Sequence, residues 1–279
     1  MACGGGNWGG STSVEIFDTE KGEWNDGPQL SCSLSEHSLV LAGNKVVAVG
    51  GNSDSVFAFN IEGNSWESFP NAPSKRNRVG LAFIEPKRLI AIGGNTGTFT
   101  NSCDEFDMEE GAWKPKEKVP PMMPTSRYDF GVQVIGNRIF AIGGYNDKLQ
   151  TKANEVFDIE ENIWRILSPM PTARQGMAIG CIDGRHIWTF GGYLNGNDLD
   201  VIEVYDTVTD EWSVPPVKMT TKRYSSKAVV IGEKFFIVGG RENSSNPTNL
   251  LEIFDPETMK WTQAPPMKLT RMWHGVAGF

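Results

Sequence analysis

The sequence predicts an all-β protein built from six similar sheets, and three observations carry that prediction. First, an aromatic residue followed by Asp or Asn recurs at Phe17-Asp18, Phe59-Asn60, Phe106-Asp107, Phe157-Asp158, Tyr205-Asp206 and Phe254-Asp255, and a tryptophan follows each aromatic by seven positions, at Trp24, Trp66, Trp113, Trp164, Trp212 and Trp261. Second, apolar runs closed by two glycines lie between these units, from Val46 to Gly51, Leu89 to Gly94, Ile139 to Gly144, Ile187 to Gly192 and Phe235 to Gly240. Third, the unit recurs every 42 to 51 residues, the period of β-propeller blades.

Each element follows from local chemistry. A short apolar run rich in β-branched residues and bounded by glycine reads as a strand buried on both faces. The glycine pair ends it, because glycine reaches backbone angles closed to other residues and lets neighbouring chain approach a crowded centre. A strand such as Val14-Glu15-Ile16-Phe17 follows, then a turn rich in Asp, Glu, Gly and Thr, then a strand opened by Trp, which together make a hairpin. The Asp after the aromatic suits the turn amides, and Phe with Trp supplies large buried area between adjacent sheets. Prolines fall after the Trp strands, and helical signals are nearly absent.

Composition removes several function classes. With 26 Lys and Arg against 34 Asp and Glu, a net charge of -8 and no basic cluster, the chain lacks what phosphate neutralisation requires, so no nucleic acid partner is expected. No apolar run approaches the roughly 18 residues needed to span a bilayer, and residues 1–10 lack the basic and apolar stretches of a secretory signal. A cytoplasmic protein with no membrane partner is the expectation. Cys3, Cys32, Cys103 and Cys181 lie far apart and read as buried thiols rather than as a metal site or a disulfide framework. The sequon Asn243-Ser244-Ser245 carries little weight without a secretory signal.

The pattern of apolar run, double glycine, aromatic and tryptophan resembles the kelch repeat over essentially the whole chain. The resemblance implies four antiparallel strands per blade, a to d from the axis outward, with the glycines ending b, the aromatic on c and the Trp opening d. Six c–d pairs but five complete a–b pairs are present. The missing a strand is expected at His274 to Phe279 and the missing b at Met1 to Gly5, so that one blade is closed by both chain ends. The expected organisation is a single propeller domain over 1–279, with repeats near 1–33, 34–76, 77–126, 127–173, 174–222 and 223–270, and with 271–279 completing the first blade. Because the chain starts and stops inside strands, it reads as a propeller from a larger parent.

No catalytic residue, metal or cofactor is expected. Copper propellers of the galactose-oxidase kind use two His and two Tyr, whereas His37, His186 and His274 form no spaced cluster, and the Glu-x-x-x-Asp-x-x-x-His iron motif of plant specifier proteins is absent. Six-bladed sialate mutarotases stay open as the alternative function, a sugar mutarotase or epimerase. Two further repeats read as structural: an arginine four residues after a Met or its substitute, at Arg76, Arg127, Arg174, Arg223 and Arg271, and an acid two residues before the c-strand aromatic, at Glu15, Asp104, Glu155, Glu203 and Glu252. Leu34 and Phe57 break the two series, and pairing between the series is the hypothesis.

Function is expected where blades differ. The residue after the glycine pair varies through Gly6, Asn52, Asn95, Tyr145, Tyr193 and Arg241, and the residue two after the repeated arginine through Glu36, Arg78, Asp129, Gly176, Ser225 and Trp273. The family resemblance implies that the b–c and d–a loops carrying both sets open on one face. The chain is most similar to the propellers of BTB-kelch proteins, which recruit substrates to cullin-3 ubiquitin ligases through that face; Arg76-Asn77-Arg78-Val79-Gly80 and Gly240-Arg241 resemble motifs of the peptide pocket there. No BTB region is present in this chain, so cullin-3 is implied only through one supplied elsewhere. The expected partner-binding residues are Asn52, Arg78, Asn95, Asp129, Tyr145, Tyr193, Ser225, Arg241 and Trp273. Their expected ligand is a protein loop or peptide bearing Asp or Glu beside an apolar residue, with mutual pairing of these residues as the alternative.

Overall fold

The six aromatic–tryptophan pairs stand directly opposite each other across six antiparallel hairpins, from Phe17 facing Trp24 to Phe254 facing Trp261. Their ring centroids are 4.8 to 5.4 Å apart. The Asp or Asn after each aromatic accepts hydrogen bonds from amides of the following turn: Asp107 Oδ1 takes those of Glu109 and Glu110, both at 3.0 Å, and the other five do the same. Each of these six indole N–H groups then donates to a carbonyl of the preceding blade, as Trp24 does to Pro265 and Trp66 to Pro28. One short motif thus shapes a hairpin, fills the space between sheets and links consecutive blades.

The structure is a computed structural model that describes residues 1–6, 10–51, 53–242 and 246–279; the sequon at Asn243 lies outside the described residues. Six four-stranded antiparallel sheets are present. In five of them the strands follow chain order, beginning on the axis with His37–Ala42, Gly80–Ile84, Gly131–Ile135, Ala178–Cys181 and Lys227–Ile231. The sixth joins the chain ends: Gly275–Val276 is innermost, Ala2–Cys3 is next, and Val14–Asp18 and Glu23–Asp26 complete it. Val276 faces Ala2 and Ala2 faces Glu15. Neighbouring innermost strands touch around a full circle, so the six-bladed propeller is closed. Among the described residues the one helical element is the 3-10 turn Lys116–Lys118, and no helix is long and apolar enough to cross a membrane. Of the four cysteines, Cys3 and Cys103 are buried, and burial pushes both thiols up to about 12. Cys32 and Cys181 are only partly buried, which corrects the expectation for those two: one sits in a loop between blades and the other at the end of an inner strand.

The repeated arginines and acids do pair. Arg76 meets Asp104 at 2.6 Å, Arg127 meets Glu155 at 2.9 Å, Arg174 meets Glu203 at 3.0 Å and Arg271 meets Glu15 at 2.8 Å; Arg223 pairs with Glu252. All five guanidinium groups are buried. Burial lowers the pKa of Arg127, Arg174 and Arg223 to about 10, which leaves them charged at neutral pH. The bonds extend to backbone: Arg76 also donates to the carbonyls of Gly93 and Ser102, and Arg271 to those of Gly4 and Ser13. Each arginine therefore ties the loop entering a blade to that blade's c strand, and Arg76 and Arg271 tie it to the b–c loop as well. In the second blade Leu34 and Phe57 are both buried within one apolar cluster, so the ion pair is replaced there by hydrophobic packing.

Two predictions follow from this core. Glu155→Ala strands the Arg127 charge and is expected to cost about 3–5 kcal/mol in denaturant unfolding, whereas the double change R127L/E155F, patterned on Leu34 and Phe57, is expected to cost less than the single one. The second concerns His37 and His274, which pack against the glycines of the closing blade; a Cβ on Gly4 would lie 2.6 Å from His37 Cε1, and one on Gly5 2.6 Å from His274 Cβ. Burial, reinforced by the charges of Lys227 and Arg271, lowers His37 to about 3 and holds His274 well below its ordinary value. Both stay neutral in the fold while the unfolded chain takes up their protons below about pH 6.5. Unfolding free energy measured from pH 7 down to 5 is therefore expected to fall with acidification, by up to about 1.4 kcal/mol per pH unit for each histidine; a pH-independent value over that range would contradict this.

Candidate partner-binding face

The b–c and d–a loops meet on one face and pair there. Asn77 bridges Asn95, Tyr128 bridges Tyr145, Gln175 bridges Tyr193 and Tyr224 bridges Arg241, each pair exchanging two backbone hydrogen bonds. The residue directly after a repeated arginine is thus joined to the residue directly after a glycine pair. One position further on, the six residues Glu36, Arg78, Asp129, Gly176, Ser225 and Trp273 all adopt left-handed backbone, at φ of 50 to 60°.

Those six form a ring of hydrogen bonds around the axis. The amide of Arg78 donates to the Glu36 carbonyl at 2.7 Å, Asp129 to Arg78 at 3.1 Å, Gly176 to Asp129 at 2.8 Å, Ser225 to Gly176 at 2.8 Å and Glu36 to Trp273 at 2.8 Å. The sixth link runs from the Trp273 amide to Ser225 Oγ at 3.0 Å. Left-handed backbone costs a non-glycine residue about 1 kcal/mol, and the ring offsets it by satisfying amides that would otherwise be orphaned near the axis.

Side chains on this ring are bonded to one another. Arg78 donates to Glu36 through Nε at 2.9 Å and through Nη2. It also donates to Tyr224 Oη at 3.3 Å and stands 3.9 Å from Asp129. Its guanidinium lies 5.2 Å from the ring centroids of both Tyr128 and Trp273, a cation–π arrangement. Burial works against its charge, but Asp129, Tyr224 and Glu36 outweigh burial and raise its pKa. Asp129 Oδ2 accepts from Tyr224 at 2.8 Å and from Gln175 at 3.2 Å. Arg241 binds Asp198 at 2.7 Å and lies over the rings of Tyr193 and Tyr224 at 5.3 and 4.7 Å. Phe99 stacks on Tyr128 at 5.2 Å, and Tyr128 lies 5.6 Å from Tyr145. The result is an arc of aromatic rings interleaved with two neutralised guanidinium groups.

The expected site residues therefore divide into layers. Asp129, Ser225 and Trp273 are buried and build the floor. Arg78, Asn95, Tyr145, Tyr193 and Arg241 are partly exposed above it, and Asn52 lies outside the described residues. Arg78 and Arg241 already hold carboxylates, so an acidic ligand would have to compete with Glu36 and Asp198. Sequence reasoning missed Phe99, Tyr128, Gln175, Tyr224 and Asp198. The signal for three of them was available, since the position just after the repeated arginine varies as Ser35, Asn77, Tyr128, Gln175, Tyr224 and Met272. Below the ring, a cavity of about 130 Å³ runs between the innermost strands. Lys227 reaches it from the position that holds Ser38, Gly80, Gly131, Ala178 or Gly275 in the other blades, and burial lowers its pKa. His186, away from this face, is held by Asp183 at 2.5 Å, and no group of three His, Cys, Asp or Glu among the described residues could hold a metal.

A family model described as the KLHDC2/KLHL20/DRC7 Kelch-repeats domain matches residues 130–272, a little over half of the chain. The chain belongs to the kelch-repeat family. This kelch propeller is 27% identical over 244 residues to kelch-like protein 38 of Rattus norvegicus, covering 83% of the chain and 40% of the relative. It is 25% identical over 271 residues to kelch-like protein 15 of Homo sapiens, covering 85% of the chain and 43% of the relative, and 26% identical over 228 residues to alpha-scruin of Limulus polyphemus, covering 75% and 24%. The chain thus spans about two fifths of the length of the kelch-like proteins it matches.

Gly176 tests the ring. It is the single glycine of the six, and a Cβ there would lie 2.3 Å from Tyr224 Cε2. Gly176→Ala is expected to destabilise the propeller by about 1–3 kcal/mol by pushing Tyr224 off Asp129; thermal unfolding identical to the parent would show that Tyr224 is not held as described.

Proposed function

We propose that this kelch propeller is a partner-recognition domain that takes a loop or extended segment of another protein on the b–c and d–a loop face, as the substrate-recognition part of a kelch-like adaptor. The arc from Phe99 through Tyr145, Tyr128, Arg78 and Tyr224 to Arg241 and Tyr193 carries the proposal. Tyr, Trp and Arg dominate binding energy at protein interfaces, and here they stand on a hydrogen-bonded ring that needs little ordering on binding. Because Glu36 and Asp198 neutralise the two arginines, aromatic and apolar contacts supply most of the affinity, and an acidic residue of the partner adds to it by displacing one of those carboxylates. Recruitment to a cullin-3 ligase needs a BTB region beyond these 279 residues. One relative is a RING finger domain and kelch repeat-containing protein of Dictyostelium discoideum. The relatives are kelch-like and kelch-repeat proteins and lend no support to the sugar-mutarotase alternative.

Tyr145 and Tyr193 are the informative positions, because Arg78→Ala would also strand Glu36 and Asp129. Capture from cell extract followed by binding measurements on the recovered partner is expected to show Y145A/Y193A weakening the complex by roughly tenfold or more, about 1.4 kcal/mol or above. K45A/K234A, on the opposite face, should leave it unchanged. A partner retained by the first pair and lost with the second would place the binding site on the other surface.

A further inference from the structure

The opposite face, built by the a–b and c–d turns, carries a groove of about 850 Å³ between the fifth and sixth blades. Its floor includes Trp188, whose cross-strand neighbour is Val204. The same b-strand position in four other blades holds Val47, Ile90, Phe140 and Phe236, all buried. Trp188 alone among these five is partly exposed. It leans on Phe235 and Phe254 of the sixth blade at 5.8 and 5.6 Å, so one edge is anchored in the core and the remainder faces the groove. Pro215 and Met259, the latter 39% exposed, extend the apolar surface.

The rim is acidic. Asp183 is bonded to His186 and Asp255 stands 3.5 Å from Lys234, whereas the exposed carboxylates of Glu233 and Glu257 have no hydrogen bond or ion pair among the described residues. A large, partly exposed indole in a groove rimmed by unpaired carboxylates matches one kind of side chain: a cation on an apolar stem, above all arginine, which can stack on indole while its donors reach carboxylates. We propose that this groove docks an extended segment of a second protein in which Arg or Lys stands two residues from a large apolar residue, so that both side chains share the face turned to the groove. The site is separate from the loop face, so the propeller can hold two partners at once.

The test uses the purified chain and a fluorescently labelled peptide in which Arg stands two residues from Leu or Phe, read by anisotropy. Charge reversal E233K/E257K is expected to weaken binding at least tenfold. E20K/E62K, the same charge change on exposed turns of other blades, and Tyr145→Ala should leave it unchanged, and a peptide with Glu in place of Arg should not bind. Equal weakening by E20K/E62K would overturn the proposal, because it would reduce binding to general attraction by a chain of net charge -8. Equal binding of the acidic peptide would overturn it as well. So would self-association of the parent chain that E233K/E257K abolishes, since a second copy would then be the occupant. Should the reversal variant fail to fold, E233Q/E257Q supports the same comparison, against E20Q/E62Q.

Discussion

The buried arginine–carboxylate pair is the constraint on which the rest of this propeller depends. A blade is entered by a loop that must travel from the rim to the axis, and its landing point fixes everything on the loop face. In five of the six blades an arginine holds that point. It bonds the c-strand acid of the blade it enters and carbonyls of the adjoining b–c loop, so loop and sheet are joined at one charged group. Such a pair adds little net stability over well-packed apolar side chains, but it strongly disfavours other arrangements, because either charge left alone inside is costly. The second blade supports that view, since Leu34 and Phe57 fill the same places with no charge.

From that landing point the binding face follows by short steps. The residue after the arginine bridges to the residue after the glycine pair, and the next residue turns left-handed to hydrogen bond its counterpart in the neighbouring blade. The left-handed residue is thus common to all six blades while side chains are free to differ. Aromatic rings and arginines accumulate where variation is cheapest and support is most rigid, a combination that suits recognition. On the opposite face, Trp188 is the one residue of five at its b-strand position that is partly exposed, and it lies between two blades.

Much of this was legible in the sequence. The spacing of aromatic to tryptophan located six hairpins, the glycine pairs located the inner strands, and the count of six c–d pairs against five a–b pairs located the blade closed by both chain ends. The two interrupted series, at Leu34 and Phe57, pointed to the pairing now seen. The candidate face was legible in outline, as two sets of variable positions. Its wiring was not. Tyr224 reaches Asp129 across 95 residues and Arg78 reaches Glu36 across 42, and no repeat pattern specifies bonds between positions whose identity changes from blade to blade.

The sequence by itself therefore determined the repeat, the strand order and the closure of the ring, because each rests on interactions that recur in every unit or between adjacent units: a cross-strand aromatic pair, an Asp-capped turn, an arginine with its acid. Only the tertiary structure decided that Arg78 and Arg241 are already neutralised and that Trp188 is partly exposed. Those facts depend on which of six unlike side chains are brought together around one axis, and on how far two particular blades part at their lower edge, where packing between sheets rather than any local preference sets the outcome.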